Sequence, residues 1–445
     1  MNNARLSAFK ALLHVDVNEG YSNIVLDKTL AEFSMDSRDK ALASAIFYGV
    51  LERRITLNYI IKQFSNTPVK KMSPKVLEIL RMGVYQILYL EKIPNSAAVN
   101  ESVTLAKENG AVKAAGFINA VLRNLVRSID KIKMPEYNKD PLLYLSVKYS
   151  CPKWLIEHWT KSYGMECTIN LLKSTYNKPP IFARVNNTLV SVEELIDRLN
   201  SEGVKAEAIT TVNGAVEIEN TGSISELKSF QEGLFHIQDL SSQICCNLFN
   251  PKSGERIIDV CSAPGGKAFT IAEIMNNKGE LLAFDKYKGK AGLINKGAKR
   301  LNLSIIRASV RDATKKDSKP LELADRVLCD VPCSGLGIVR RKPEIKYKSK
   351  SAIDSLPDLQ YLILCRASKL VKNGGILFYS TCTLNPKENN EVAAKFIENN
   401  NDFAQVSLNL PDFISHVVDE PKNQLTLMPH IHNTDGFFIA AFQKK

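Results

Sequence analysis

Hydrophobic positions recur at helical spacing through the first 130 residues. Leu6, Phe9, Leu12, Leu13 and Val17 fall on one face, and Leu42, Ala45, Ile46, Val50 and Leu51 on another. No proline occurs before Pro68. Ser73-Pro74 reads as an N-cap followed by proline at the first helical position. The helix it opens carries Val76, Leu77, Leu80, Val84, Ile87, Leu88 and Leu90. Further helices are predicted from near Asn95-Ser96 and from Ala115 to Arg127. Together they predict an all-α bundle over residues 1–130.

The pattern then changes. Residues 128 to about 145 are polar, hold prolines and read as a linker. Cys151-Pro-Lys-Trp-Leu-Ile-Glu-His-Trp begins another helix, and Ile181–Asn186 follows Pro179-Pro180 as a strand. Ser191 with Glu194 three residues on forms a capping box for a helix carrying Val192, Leu195, Ile196 and Leu199. Val216–Glu219 adds a strand. This predicts a small α+β connector, residues 141–235, with no group of residues that looks chemical.

Phe235-His-Ile-Gln-Asp-Leu-Ser-Ser-Gln243 leads into a third region, residues 236–445. Strands are predicted at Ile257–Cys261, Glu280–Phe284, Ile305–Ala308, Arg326–Val331 and Ile376–Ser380, with helical patterns between them. Such alternation implies a doubly wound, mostly parallel sheet covered by helices. Ligands in such sheets bind outside the C-terminal ends of the strands. Leu425–Met428 and Gly436–Phe442 predict a closing hairpin with an antiparallel strand.

Composition narrows the class. No run of 18 apolar residues appears, and Met1-Asn-Asn-Ala-Arg-Leu-Ser lacks the apolar core of a signal peptide. A cytoplasmic protein with no membrane partner is expected. The net charge is +12 and the pI about 9.1, which favours a polyanionic partner, with a merely basic surface as the alternative. The cysteines number nine, and no Cys-x-x-Cys pair occurs, so neither a disulfide framework nor a zinc site is expected. His430-Ile-His432 has a spacing that suits metal on a strand. With no cysteine or acidic cluster beside it, it reads as ordinary surface.

The candidate chemistry gathers at predicted strand ends. Arg256-Ile-Ile-Asp-Val-Cys-Ser-Ala-Pro-Gly-Gly-Lys267 reads as a buried strand, a tight turn and a helix start. Its glycines allow close approach of a ligand to the backbone, and the helix start offers free N–H groups. Asp285 lies 19 residues after Gly266, where an acidic residue meets ribose hydroxyls. Asp312 ends the next strand and could meet an adenine amino group. The last two strands end in Asp330-Val-Pro-Cys-Ser-Gly-Leu-Gly337 and Tyr379-Ser-Thr-Cys-Thr383. Taken singly, each carboxylate reads better as a surface loop residue; the coincidence of four strand ends argues for a site. The turn is neither a Walker loop nor Gly-x-Gly-x-x-Gly. An adenosine ligand with a cationic sulfonium suits several carboxylates, which points to S-adenosylmethionine.

Cys333 and Cys382 fit a further requirement. Carbon 5 of a pyrimidine is a poor nucleophile until a thiolate adds to carbon 6. That chemistry needs a nucleophilic cysteine, a carboxyl group at ring nitrogen 3 and a base for elimination. A free thiol has a pKa near ~8.5, so the site must favour thiolate. In isolation each cysteine reads as a small core residue.

Ile93-Pro-Asn-Ser-Ala-Ala-Val-Asn-Glu-Ser-Val and Gly116-Phe-Ile-Asn-Ala-Val-Leu-Arg123 resemble the NusB family of RNA-binding helical domains. That resemblance implicates Arg5 and Lys10 in RNA contact, against a reading of both as solvated helix faces. Asp-Val-Cys-Ser-Ala-Pro-Gly-Gly-Lys267, the Asp330 motif with Arg340-Arg-Lys-Pro-Glu-Ile-Lys346, and Tyr-Ser-Thr-Cys-Thr-Leu-Asn-Pro386 with Glu388-Asn resemble the RNA cytosine-5 methyltransferases of the Fmu/Sun type. The resemblance covers essentially the whole chain. It implies a multidomain protein: an all-α NusB-like bundle, a small α+β connector and a doubly wound, Rossmann-like class I methyltransferase domain. It implies Cys382 as nucleophile, Cys333 in product release and Asp330 in contact with the cytosine. It implies cofactor contacts from Cys261, Ser262, Ala263, Pro264, Gly265, Gly266, Lys267, Asp285, Asp312 and Asp330. The expected substrate is small-subunit rRNA, with tRNA and a non-catalytic RNA-binding factor as rivals; no metal is implied, and a monomer is expected. Ser262 replaces the family's common Ala, and Lys-Tyr-Lys-Gly-Lys after Asp285 is more basic than usual. From Lys286 to Lys319 eleven lysines and arginines face two acidic residues. With Arg340, Arg341, Lys342, Lys346, Lys348 and Lys350 they suggest RNA phosphate contacts as a group.

Overall fold

The structure, a computed structural model, describes residues 3–18, 22–316, 321–414 and 421–445; the side chain expected at Val17 and the charge at Lys319 lie outside the described residues. Two units emerge, Met1–Asn177 with Val339–Lys348, and Lys178–Ile338 with Ser349–Lys445.

The first unit is helical: α1 (Asn3–Asn18), α2 (Ser22–Ala31), α3 (Ser37–Glu52), α4 (Arg54–Phe64), α5 (Pro74–Tyr89), α6 (Asn95–Glu108), α7 (Ala115–Arg127), α8 (Pro141–Lys148), α9 (Lys153–Tyr163) and α10 (Met165–Ser174). The Ser73 side chain accepts the Val76 N–H, and Pro74 stands at the first helical position of α5. The apolar stripes meet in one core of Phe9, Leu12, Ile46, Phe47, Leu80 and Leu122, all buried. Burial of each such side chain stabilises by about 1.5–3 kcal/mol. The predicted linker is shorter than expected. Asp140 caps α8 by accepting the Leu143 N–H at 2.8 Å, so its last residues are helical. The expected connector is divided: its helices α8–α10 fall in the first unit and its strands in the second.

Two expectations about basic residues in this unit are corrected. Arg5 is buried, and its Nε donates to Gln86 Oε1 at 2.7 Å. An arginine spent on a core amide is neither a solvated face nor a phosphate contact. Lys10 is exposed, with its ammonium 4.9 Å from the centre of the Phe33 ring. Arg340 and Lys346 are also buried, so neither is free for RNA phosphates. Lys346 Nζ donates to Glu52 O at 2.7 Å and to Tyr149 O at 3.5 Å. Tyr347 Oη donates to Leu51 O at 2.9 Å, and Glu344 Oε1 accepts the Ser22 N–H at 2.9 Å. The segment Val339–Lys348 is thus an internal strut of the helical unit. Of the six basic residues from Arg340 to Lys350, Lys348 and Lys350 are exposed and Arg341 and Lys342 are half-buried.

Burial pushes the Lys346 ammonium down to about 8. A lysine whose folded pKa is depressed below its unfolded value near ~10.4 destabilises the fold while it must be charged. Between these values the unfolded chain holds the extra proton, so stability rises with pH. The expected result is a gain of at most about 1.4 kcal/mol per pH unit between pH 8 and 10. Denaturant melts at both pH values check it, and Lys346→Met should abolish the slope.

The second unit begins with β1 (Ile181–Val185), α11 (Val192–Ser201), β2 (Lys205–Ala208), β3 (Ala215–Glu219), α12 (Lys228–Gln231) and β4 (Phe235–Ile237). Its strands form an antiparallel sheet in the order β2-β3-β1-β4. The Ser191–Glu194 capping box is present in full. The chain continues through α13 (Leu240–Phe249), β5 (Arg256–Asp259), α14 (Gly266–Ile274), β6 (Glu280–Asp285), α15 (Lys288–Arg300), β7 (Ile306–Val310), β8 (Ala324–Asp330), α16 (Lys350–Asp354), α17 (Leu356–Ala367), β9 (Val371–Thr381), α18 (Asn390–Asn399), β10 (Phe403–Gln405), β11 (Gln424–Leu427), α19 (Pro429–His432) and β12 (Phe437–Lys444). The larger sheet runs β10-β12-β9-β8-β5-β6-β7, with β11 on β12. Strands β5 to β9 pair in parallel, and β12 is antiparallel to β9.

From β5 the chain winds outward to β6 and β7, then returns to β8 on the other side. That reversal opens a crevice beyond the C-terminal ends of β5 and β8. His430 and His432 lie on the short α19 rather than on a strand, and His432 Nδ1 accepts the Met428 N–H at 2.9 Å. Among the described residues no group of His, Cys, Asp and Glu is arranged to hold a metal ion. No helix among them is long and apolar enough to cross a membrane.

Candidate active site

β5 is held by fully buried Ile257 and Ile258 and delivers Asp259 to the crevice floor. Asp259 Oδ1 accepts the Cys261 N–H at 3.3 Å, and the Ser262 hydroxyl lies beside the carboxyl. Burial, with the Asp330 carboxylate nearby, pushes Asp259 up to about 7. It was not among the expected site residues, although a lone carboxylate closing an apolar strand was a visible signal. A raised carboxyl pKa makes the folded state fully stabilised only below the unfolded value near ~3.9, and the advantage is lost as pH rises through about 7. Asp259→Asn should therefore raise the melting temperature, and more at pH 8 than at pH 5. An equal gain at both values would contradict the assignment.

The turn after β5 is tightly bonded. Ser262 N–H donates to Phe284 O at 2.7 Å, and Gly265 N–H donates to Ser262 O at 2.8 Å. Ala263-Pro264 is a cis peptide. Gly265 has φ +111°, and a Cβ there would lie 2.5 Å from the Phe269 ring. Both the backbone and the space demand glycine. Gly266 opens α14, whose first N–H groups and positive dipole end face the turn. Cys261 is half-buried at the end of β5, and burial, then Asp259, pushes its thiol far up.

The expected carboxylates all stand at strand ends. Asp285 closes β6, and its Oδ1 accepts the Tyr287 N–H at 3.0 Å. Asp312 follows β7, and its Oδ1 accepts the Thr314 N–H at 3.0 Å and hydroxyl at 2.6 Å. Those bonds hold Asp312 below the usual carboxylate range, and Lys286 Nζ lies 3.4 Å from Oδ2. Asp330 closes β8 with both oxygens engaged: Lys267 Nζ donates to Oδ2 at 2.8 Å and Ser380 Oγ to Oδ1 at 2.9 Å. Burial alone would lower the Lys267 ammonium, but Asp330 overrides it and holds the charge. Lys267 thus reaches across the crevice from α14 to β8.

The two cysteines expected to react meet. Cys333 Sγ and Cys382 Sγ are 3.1 Å apart, both unbridged and half-buried. Their loops are tied by the Ser334 and Thr383 hydroxyls at 2.6 Å and by Gly337 N–H donating to Cys382 O at 3.0 Å. A Cβ on Gly337 would lie 2.0 Å from Gly436 O, so Gly337→Ala should displace the Cys333 loop and lower the methylation rate. Either thiol can donate to the other; the shared bond holds Cys382 below the ordinary thiol value against burial and the Asp330 carboxylate, with help from Lys267. Cys333 is raised by the same bond and by burial. Two hydrogen-bonded thiols and a carboxylate–ammonium pair thus share one crevice.

The chain matches three family models: the 16S rRNA methyltransferase RsmB/F model over residues 246–443, the NusB family over 2–127, and an RsmF/B-like ferredoxin-like domain over 151–225. A Bacillus subtilis protein named probable ribosomal RNA small subunit methyltransferase B is 38% identical, over 98% of each chain. The chain belongs to the RsmB/F family of 16S rRNA methyltransferases. Among solved structures, PH0851 superposes with a TM-score of 0.85 at 25% identity, covering 100% of this chain and 99% of that one. NSun6 from Pyrococcus horikoshii with SFG gives a TM-score of 0.60 at 25% identity, over 66% of this chain and 98% of that one. As an RsmB/F member the protein is an S-adenosylmethionine-dependent methyltransferase, and the glycine turn with the carboxylates of Asp285 and Asp312 suits that cofactor.

The basic stretch of this RsmB/F domain is mostly solvent-facing. Lys288, Lys296, Lys299, Lys315 and Lys316 are exposed. Arg300 is an exception: its Nη1 donates to Phe230 O at 2.5 Å and to Phe235 O at 3.1 Å, which fastens α15 beside β4. It is withdrawn from the expected phosphate contacts.

Proposed function

We propose that the protein methylates carbon 5 of a cytosine in small-subunit (16S) rRNA through a covalent adduct between Cys382 and carbon 6. The observation that carries this reading is the 3.1 Å approach of Cys333 Sγ to Cys382 Sγ, beside the Lys267–Asp330 pair. The bound cofactor supplies an electrophilic methyl group on its sulfonium. Cys261, Ser262, Ala263, Pro264, Gly265, Gly266 and Lys267 line its turn, Asp285 takes the ribose hydroxyls, and Asp312 the adenine.

Asp330 contacts the cytosine, its carboxylate accepting from the exocyclic amino group and from ring nitrogen 3 once that nitrogen is protonated, and it also borders the cofactor. As the Cys382 thiolate forms a bond to carbon 6, electron density moves to carbon 5, which would take the methyl group as its bond to the sulfonium breaks and leaves a neutral thioether. Loss of the carbon-5 proton to water acting as base then returns the electron pair to the ring and breaks the bond between carbon 6 and the Cys382 sulfur, which leaves as thiolate. The Cys333 thiol, 3.1 Å from the Cys382 sulfur, donates to that sulfur as it leaves. An attacking thiolate with a hydrogen-bond donor at its back needs no metal. The proposal includes a NusB-like RNA-binding domain at 1–130, a connector at 141–235 and a methyltransferase domain at 236–445, in a cytoplasmic monomer.

RNA carrying 5-fluorocytidine tests it. Fluorine is not lost as a proton, so the wild-type chain should stay bound through denaturation, with the nucleotide on the peptide that holds Cys382. Recovery of unmodified peptide after full methyl transfer would overturn the covalent route.

A further inference from the structure

Asn389 stands just before α18, where an asparagine side chain ordinarily accepts one of the first N–H groups of the helix. Here it makes no such cap. The side chain is buried and reaches instead to both neighbours of Cys382. Its Oδ1 accepts the Thr381 hydroxyl at 2.6 Å, and its Nδ2 donates to Thr383 O at 3.0 Å. A carbonyl only accepts, so the amide nitrogen must face Thr383, which leaves the amide oxygen for the Thr381 hydroxyl. Thr381 and Thr383 are themselves fully buried, so neither bond is exposed to solvent.

Cys382 lies just past Thr381, the last residue of β9, where the strand ladder no longer fixes the backbone. The Asn389 amide spans that position from one side to the other. The same framework reaches the second sulfur. The Thr383 hydroxyl shares its bond with Ser334, the residue after Cys333. Ser334 N–H donates to Glu388 Oε2 at 2.8 Å, Gln360 Nε2 donates to that oxygen at 2.9 Å, and Asn385 Nδ2 to Oε1 at 2.8 Å. Two successive buried side chains thus hold the two cysteine loops, Glu388 that of Cys333 and Asn389 that of Cys382. The Cys382 side chain itself is only half-buried.

We propose that Asn389 is a positioning residue that holds the Cys382 sulfur in place for attack on carbon 6. The inference rests on the reading of Cys382 as nucleophile. Asn389 touches neither RNA nor cofactor in this role; it acts through the residues on both sides of Cys382. Bond formation tolerates little displacement, and a misplacement of about 1 Å costs on the order of 10²-fold in rate. Without the amide, Thr381 and Thr383 lose their shared partner, and the cysteine between them is free to turn.

The test is methylation of small-subunit rRNA by the full chain, with kcat and KM read separately. Asn389→Ala should lower kcat about 10²-fold and keep KM for RNA and for S-adenosylmethionine within about threefold of wild type. Its adduct with 5-fluorocytidine RNA should form more slowly by the same factor. Thr381→Val loses one of the two bonds and should lower kcat about tenfold, whereas Thr381→Ser keeps the hydroxyl and should stay within about threefold of wild type. The double variant Thr381→Val with Asn389→Ala should match Asn389→Ala alone within about threefold, because both changes remove the same bond. A merely loosened fold would weaken cofactor binding along with the rate and would not tell valine from serine. Folded Asn389→Ala with unchanged kcat, or with a defect in KM alone, overturns the proposal. So does a double variant whose two losses multiply. If Asn389→Ala does not fold, the Thr381 pair decides, and equal kcat in Thr381→Val and Thr381→Ser overturns it. Methylation retained in Cys382→Ala would instead refute the nucleophile assignment, and this inference with it.

Discussion

Cys382→Ala should lose methyl transfer by on the order of 10⁴-fold or more and form no adduct with RNA, whereas Cys333→Ala should accumulate one. Loss of a covalent nucleophile has effects of this size because no other group performs its step. The opposite behaviour of the partner follows from geometry. Cys333 Sγ lies 3.1 Å from the Cys382 sulfur, within reach to donate to it. It contributes little to the first bond, which the Cys382 thiolate forms. It contributes at the end, when that sulfur must again carry charge. Without a donor the carbon–sulfur bond breaks slowly, and the adduct builds up. Denaturing gels of both variants after incubation with RNA and S-adenosylmethionine read this directly. Adduct in Cys382→Ala and none in Cys333→Ala would exchange the two roles.

The second large effect is expected at Asp330. Asp330→Asn should cut the rate about 10²–10⁴-fold, the usual range for a group that holds or moves a proton in the transition state. It should also lower stability, because Lys267 Nζ loses a charged partner at 2.8 Å in a mostly buried position. Removing one half of a buried pair typically costs about 3–5 kcal/mol. The two consequences separate in the double variant Lys267→Met with Asp330→Asn. With no ammonium left unpaired, much of the melting temperature should return, while the rate should stay low. A double variant that recovered both would make Asp330 a structural partner of Lys267 and nothing more.

Much of this arrangement is legible in the chain. The apolar strand before Asp259 and the alternation of strands and helices identify the parallel sheet, because both rest on local periodicity. Ser73-Pro74 and the Ser191–Glu194 box mark helix starts through local hydrogen bonds, and both form as predicted. Short strands escape: Lys205–Ala208 buries one residue, and Phe235–Ile237 pairs only through the register of β1. Charge misleads where distant segments decide burial. Arg5 depends on Gln86, and Lys346 on the carbonyls of Glu52 and Tyr149. Nothing near either residue in sequence distinguishes it from a solvated neighbour such as Lys10. The motifs name Cys333 and Cys382 as separate cysteines; their approach follows from β8 and β9 lying side by side. Glu388 has no local signal of its own beyond its motif, since its partners come from three separate segments.

The most direct measurement is nucleoside analysis of deproteinised small-subunit rRNA, from cells lacking the protein, after incubation with the purified chain and methyl-labelled S-adenosylmethionine. The account predicts label in 5-methylcytidine at a single position, and none with Cys382→Ala. Label on a ring nitrogen, on a ribose hydroxyl or on another base would contradict it, because none of those acceptors needs a sulfur nucleophile.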